Sequence, residues 1–213
     1  VWALDSTDPG AGVTLLLDSN DSIASFGEDS DGEIYVVSFE RGILSFAAQQ
    51  QANNGPPIPS RLSDTGCFED VASHRVASSV IPYEVRVPFW SDSLEKYRFL
   101  ALPANQKMVF RADTPFEVPI GTVLLKTIFQ RLLDGTERRV ETRIIRRDAR
   151  GWNGYTYLWR GDQTDADLVK GRSQIELVGG AQPQTWDVPS RSDCDQCHVA
   201  RVGYTLGLTT RQL

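Results

Sequence analysis

Five consecutive residues near the end of the chain, Cys194-Asp195-Gln196-Cys197-His198, restrict its fold and chemistry more than any other feature. Two thiols separated by two residues, with an imidazole directly after the second, have the spacing that covalent haem attachment needs. Each thiol meets one vinyl group of a porphyrin, and the imidazole reaches the iron. The string therefore predicts one covalent haem c, held by Cys194, Cys197 and His198, with His198 as axial metal ligand. Two other readings of the cysteines exist. Cys67, His74, Cys194 and Cys197 make a Cys3His set of the kind that closes a structural zinc site, although six residues between Cys67 and His74 is looser than usual. A thioredoxin-like redox pair needs a βαβ context, whereas residues 184–193, QTWDVPSRSD, follow β-type sequence. His74 is the one histidine outside the motif, so no Ser-His-Asp set assembles and no catalytic residue is assigned.

The segment around the motif changes character at Pro189. Ser190 is a plausible N-cap, Asp193 adds negative charge to a first turn, and β-branched residues thin out through Ala200, which predicts a short helix carrying the cysteines. The tail GYTLGLTTRQL then stops without a capping pattern, so a cut C-terminus is expected.

The rest of the chain reads as β structure. In residues 1–46, Val13–Leu17, Ile23–Phe26, Ile34–Phe39 and Ile43–Phe46 form short apolar runs between turn residues, and Asp31-Gly32 is a hairpin signal because both residues tolerate positive φ. One antiparallel meander is expected there. Residues 47–60, AAQQQANNGPPIPS, have no apolar periodicity and read as an extended linker. Residues 61–188 predict strands over Tyr83–Val87, Tyr97–Leu102, Met108–Arg111, Thr122–Leu133, Arg138–Arg147, Trp152–Arg160 and Gln174–Val178, turning at Asp134-Gly135 and Arg150-Gly151. A β-sandwich or barrel is implied. The run RRVETRIIRR at 138–147 suits a strand with one face wetted by Arg and Glu. Trp152, Tyr155, Tyr157 and Trp159 are expected on one face as core, Cys67 as a small buried hydrophobe, and Trp186 near the porphyrin.

Two stretches resemble a known bacterial family. Ser25-Phe26-Gly27-Glu28-Asp29-Ser30-Asp31-Gly32-Glu33-Ile34-Tyr35-Val36 resembles the last blade of a glucose/sorbosone dehydrogenase-like β-propeller. Residues 59–213 are similar to the C-terminal part of proteins joining such a propeller to a mono- or diheme cytochrome c region. The matching strings are Val87-Pro88-Phe89-Trp90-Ser91-Asp92, Pro119-Ile120-Gly121-Thr122-Val123-Leu124, Gly154-Tyr155-Thr156-Tyr157, Thr185-Trp186-Asp187-Val188-Pro189-Ser190-Arg191 and Leu206-Gly207-Leu208-Thr209-Thr210-Arg211-Gln212-Leu213. The resemblance implies a mainly β chain with a propeller-blade fragment at 1–46, a linker at 47–60, a β-sandwich at 61–188 and a short helical c-type haem-binding segment at 189–213. It assigns the haem to Cys194, Cys197 and His198. It also implies that most of the propeller, with any PQQ cofactor, lies outside the sequence.

The expected task is single-electron transfer between redox partner proteins, not a substrate reaction. The alternatives are the electron-accepting part of a quinone-dependent sugar or alcohol dehydrogenase, and a structural or carbohydrate-binding sandwich whose haem serves assembly with other chains. Twenty-two Lys and Arg against 28 Asp and Glu give a formal charge of −6, which argues against nucleic acid or an anionic lipid surface as partner. No apolar run approaches the roughly 18 residues of a membrane span. The sequence starts at Val1 without basic or apolar leader regions, so any targeting peptide is expected upstream. Covalent haem attachment points to a periplasmic or extracellular setting. After His198 the chain holds no Met, His or Cys; Met108 and His74 are weak candidates for the sixth iron position, which is otherwise expected to be filled from outside these residues or left open.

Overall fold

Short runs rich in apolar and β-branched side chains lie between Gly- and Asp-containing turns, and runs joined so closely pair as antiparallel strands. A computed structural model describes residues 1–4, 7, 10, 13–15, 21–46, 58–149, 151–199 and 202–213. It is mainly β, with several antiparallel sheets, in two compact units, Val1–Pro57 and Ile58–Leu213. Residues 47–57 of the expected linker, and Leu16, Leu17 and Ala200 of the expected elements, lie outside the described residues.

In the first unit β1 (Trp2–Leu4) pairs with β2 (Val13–Leu15), while β3 (Ile23–Glu28), β4 (Ile34–Ser38) and β5 (Gly42–Ser45) form a separate three-stranded meander. The expected single meander therefore loses its first strand, because Val13–Leu15 takes Trp2–Leu4 as its partner. The Asp31-Gly32 hairpin forms between β3 and β4, with Gly32 at φ 81°. Its turn is tied by Asp29, whose carboxylate accepts from the Asp31 and Glu33 amides and from the Tyr35 hydroxyl.

The second unit is built on a six-stranded antiparallel sheet in the order β13-β12-β11-β10-β9-β8. Its strands are β8 (Val80–Pro82), β9 (Glu95–Ala101), β10 (Val123–Arg131), β11 (Glu137–Asp148), β12 (Gly151–Trp159) and β13 (Ala166–Leu168). Sequential strands are neighbours, and Gly135, at φ 84°, turns β10 into β11. Opposed residues form rows across the sheet, and alternate rows point to opposite faces.

The first face carries Phe99, Leu125, Ile144 and Tyr155 in one row and Tyr97, Thr127, Thr142 and Tyr157 in the next. It is covered by the 3-10 turn Leu62–Thr65 and the hairpin β6 (Phe68–Asp70)–β7 (Arg75–Val76), which supply Leu62, Cys67, Phe68 and Val71 to the core. The second face carries Leu100, Leu124, Ile145 and Gly154, then Arg98, Lys126, Arg143 and Thr156, then Lys96, Ile128, Glu141 and Leu158. The hairpin β14 (Ser173–Leu177)–β15 (Gln184–Val188) covers one end of it with Leu177, Trp186 and Val188, packed on Ile128 and Val140. Val118, Met108, Phe116 and Leu208 cover the other end, over Leu100, Leu124 and Ile145. The C-terminal tail is thus part of this unit.

Several expectations change. Tyr83–Val87 is not a strand, because the Arg86 and Val87 amides donate to Gln212 of the tail instead of to a sheet. Met108–Arg111 reduces to a single bridge, Val109 with Glu117. Tyr155, Tyr157 and Trp159 pack in the first-face core, but Trp152 lies against the second-face cluster, since it is an odd number of residues from the others. The run at 138–147 is not a wetted face: Glu141 is fully buried and Arg143 half-buried. Among the described residues, no helix is long and apolar enough to cross a membrane.

Candidate functional site

Pro189 ends β-type sequence and Ser190 starts helix α1 (Arg191–Asp195) from an extended backbone. Ser190 and Asp193 make a reciprocal capping box: the Asp193 amide donates to the Ser190 hydroxyl oxygen, and the Ser190 amide donates to the Asp193 carboxylate at 2.9 Å. The cap fixes the phase of the turn that follows, in which the Cys197 and His198 amides both donate to the Cys194 carbonyl. Arg191 docks the helix on β12, its guanidinium 5.2 Å from the Tyr155 ring centre and hydrogen-bonded to Asn153 Oδ1.

Cys194 is buried against Gly154 of β12. A Cβ at Gly154 would lie 2.6 Å from the Cys194 Cβ, so only glycine admits the helix this closely to the sheet. Cys197 is exposed, and none of the three cysteines forms a disulfide.

His198 is half-buried and donates its Nδ1 proton to the Tyr204 carbonyl. Facing a carbonyl oxygen, Nδ1 must carry the hydrogen, so the neutral ring keeps its lone pair on Nε2. Burial holds the imidazole below its ordinary pKa, the Tyr204 carbonyl opposes that, and Lys126 and Arg143 reinforce it. Tyr204 is itself fixed: its backbone is left-handed at φ 62°, its amide donates to the Val199 carbonyl, and its ring stacks on Trp152 at 6.0 Å. An oriented neutral imidazole next to two thiols is the donor set that a c-type haem requires, and these residues fit that group.

The other candidates separate from this site. Cys67 and His74 sit in the first-face core, whereas Cys194 packs on the second face, so the sheet stands between the two halves of the Cys3His set. No cluster of three or more metal-ligating side chains forms among the described residues. His74 shares a hydrogen bond with Thr127 Oγ1 (2.9 Å), which is bonded to Thr142 Oγ1 (2.8 Å), which accepts from the Trp159 indole (3.0 Å). Burial and the nearby Arg139 push its pKa down to about 4, so it is a neutral structural imidazole. Cys67 is buried as expected, and burial raises its thiol pKa. Met108 packs on the second face with Leu100 and Leu124. Trp186 is enclosed by Ile128, Val140 and Leu177, so its indole packs in the apolar cluster under the β14–β15 hairpin.

Sequence reasoning missed the charged row beside the motif. Arg98, Lys126 and Arg143 are directly opposed on β9, β10 and β11. Lys126 is pushed down to about 8, first by burial and then by Arg143. Among the described residues Glu141 is the carboxylate facing them; Arg143 Nε donates to it at 2.7 Å, and burial raises its pKa against that pairing. The indole of Trp186 acts on the same carboxylate, but neither Glu141 Oε2 nor Trp186 Nε1 completes a hydrogen bond. The available signal was Lys126 itself, a lone charge inside the apolar run VLLKTIFQ. Compared with protein-family models, curated proteins and solved structures, the chain matches none.

Proposed function

We propose that this chain is an exported single-electron carrier with one covalent haem c on Cys194, Cys197 and His198. The observation that carries the reading is His198: its Nδ1 proton is committed to the Tyr204 carbonyl, and its Nε2 lone pair is left for a metal directly beside the Cys-x-x-Cys turn. When bound, a c-type haem supplies a one-electron iron couple. The chain's own part is attachment and orientation. Cys194 and Cys197 would hold the haem through thioether links and His198 would supply the nitrogen donor. The Ser190–Asp193 cap sets where the thiols fall, and Tyr204 with Trp152 sets the imidazole plane.

The finer architecture belongs to the same proposal. Residues 1–46 are the last blade of a glucose/sorbosone dehydrogenase-like propeller, which the β3–β5 meander and its Asp-Gly turn support. Residues 61–188 are a sandwich, and 189–213 the haem-binding segment of a cytochrome region of that family. The setting is periplasmic or extracellular and the partners are redox proteins. His74, across the sheet from His198, is not the sixth ligand.

The test is expression with a c-type maturation system, followed by denaturing mass spectrometry and a reduced absorption spectrum. The expected result is a chain heavier by one haem that stays attached in denaturant. An unmodified mass, or bound zinc in its place, removes the proposal.

A further inference from the structure

We infer that Arg98, Lys126 and Arg143 form a counter-ion row for the propionate carboxylates of the haem attached at Cys194 and Cys197, an assignment that rests on the haem reading above. Opposed residues on neighbouring antiparallel strands have Cβ atoms only about 5 Å apart, and like charges there repel. Here three cations stand in succession on β9, β10 and β11, on a face covered at both ends by apolar clusters. Among the described residues the carboxylate facing them is Glu141, which is hydrogen-bonded to Arg143 and also attracts Lys126. Among the described residues, the Arg98 guanidinium and the Lys126 ammonium have no hydrogen-bond or ion-pair partner. Lys126 keeps some surface open to solvent although protein closely surrounds its ammonium. Folded chains retain unneutralised charge in such positions when a bound group supplies the opposite sign.

The neighbours of the row identify the ligand's chemistry. Its fourth member is Thr156, whose buried hydroxyl has no hydrogen-bond partner among the described residues. Thr156 lies two residues from Gly154, on which Cys194 rests, a distance of roughly 7 Å along a strand. On the other side Lys96, two residues from Arg98 on the same face, donates to the Phe89 carbonyl. That bond brings Phe89 and Trp90, 85% and 72% exposed, to the border of the row. A small inorganic anion has no use for aromatic surface. A flat apolar macrocycle bearing two carboxylates and tethered at Cys194 uses all of these features.

The test compares ferric haem with haem dimethyl ester, in which both propionates are neutral, binding to the haem-free full chain with its thiols reduced, with inorganic phosphate as competitor. Haem is expected to bind at least tenfold more tightly than the ester. Arg98→Gln combined with Lys126→Met, which leaves the Arg143–Glu141 pair intact, is expected to remove that preference while ester affinity stays unchanged. The unfolding midpoint of the haem-free double variant is expected to equal or exceed that of the parent, because repulsion is relieved. A preference that survives the double substitution overturns the assignment. So does a lowered midpoint, which means the cations are already paired within the chain. Equal binding of haem and ester, with phosphate saturating the row, assigns it to a free anion instead. If neither porphyrin binds, the haem reading itself fails.

Discussion

The two faces of the six-stranded sheet use the same alternating strands and reach opposite electrostatic solutions. On the first face every polar group inside the core is answered by another: His74, Thr127, Thr142 and Trp159 form one continuous hydrogen-bonded chain among Phe68, Phe99, Leu125 and Tyr157. On the second face, among the described residues of β9, β10 and β11, four cations, Lys96, Arg98, Lys126 and Arg143, stand against the carboxylate of Glu141. Among the described residues, the buried side-chain polar atoms lacking partners, on Glu141, Thr156, Trp186, Arg191 and Thr205, belong to that face or to the segments covering it. Unsatisfied buried groups are costly, so they collect where function or a ligand compensates. The contrast separates a face whose polar groups pair with one another from one that keeps positive charge in excess.

The contrast breaks most directly at Glu141. Glu141→Leu leaves Arg143 without its partner and removes the carboxylate facing the row, so urea denaturation of the chain is expected to show a loss of about 3–5 kcal/mol. A loss well below that would mean solvent already neutralises the second face. On the first face Leu125→Ala removes a fully enclosed side chain and is expected to cost about 2–5 kcal/mol. The haem attachment proposed at Cys194 and Cys197, read by mass, should not differ between this variant and the parent, because Leu125 points away from the second face.

A smaller effect tests how the site is seated. Gly154→Ala places a methyl group 2.6 Å from the Cys194 Cβ, so helix α1 must shift outward. We expect a loss of about 1–3 kcal/mol together with faster alkylation of Cys194 than in the parent; unchanged alkylation would show that the helix does not rest on β12.

The smallest expected effect is a pH slope from the first face. His74 titrates near 4 in the folded chain and near 6.5 unfolded, so the unfolded state binds its proton first as pH falls. Stability from this group is full above about pH 6.5 and declines through the window down to about 4, by at most about 1.4 kcal/mol per pH unit. Unfolding midpoints measured from pH 7 to 4 should fall less steeply for His74→Gln than for the parent. Parallel curves would place the imidazole outside the enclosed core.

Much of the local structure was readable in advance. The Ser190 cap, the Asp31-Gly32 and Asp134-Gly135 turns and the strands β9, β10, β11 and β12 follow from residues within a few positions of one another, where φ preferences and side-chain alternation act. The short strands β6, β7, β8, β13 and β15 were not legible, since two to five residues carry too little periodicity to tell a strand from a loop. Tyr83–Val87 had the right composition for a strand but gave its amides to Gln212, more than a hundred residues away. Within the candidate site, Cys194, Cys197 and His198 were visible as a string, whereas Tyr204, Gly154 and the Arg98–Lys126–Arg143 row were not.

The sequence by itself determined the Cys-x-x-Cys-His string, the long strands β9 to β12 and the turns at Asp31-Gly32 and Asp134-Gly135, because spacing along a chain limits which atoms a short segment can bring together. It also made residues 138–147 a strand with charge on one side. Only the tertiary structure decided what that side faces. Register with β10 and β12 set Arg143 opposite Lys126 and Thr156, and the covering hairpin and tail turned an apparently wetted stripe into a half-buried one. The same layering put Cys67 and His74 on one side of the sheet and Cys194 on the other, which dissolved a metal set that composition alone permits. Whether a charge is solvated or buried is a property of what packs over it, and that is fixed by segments distant in sequence.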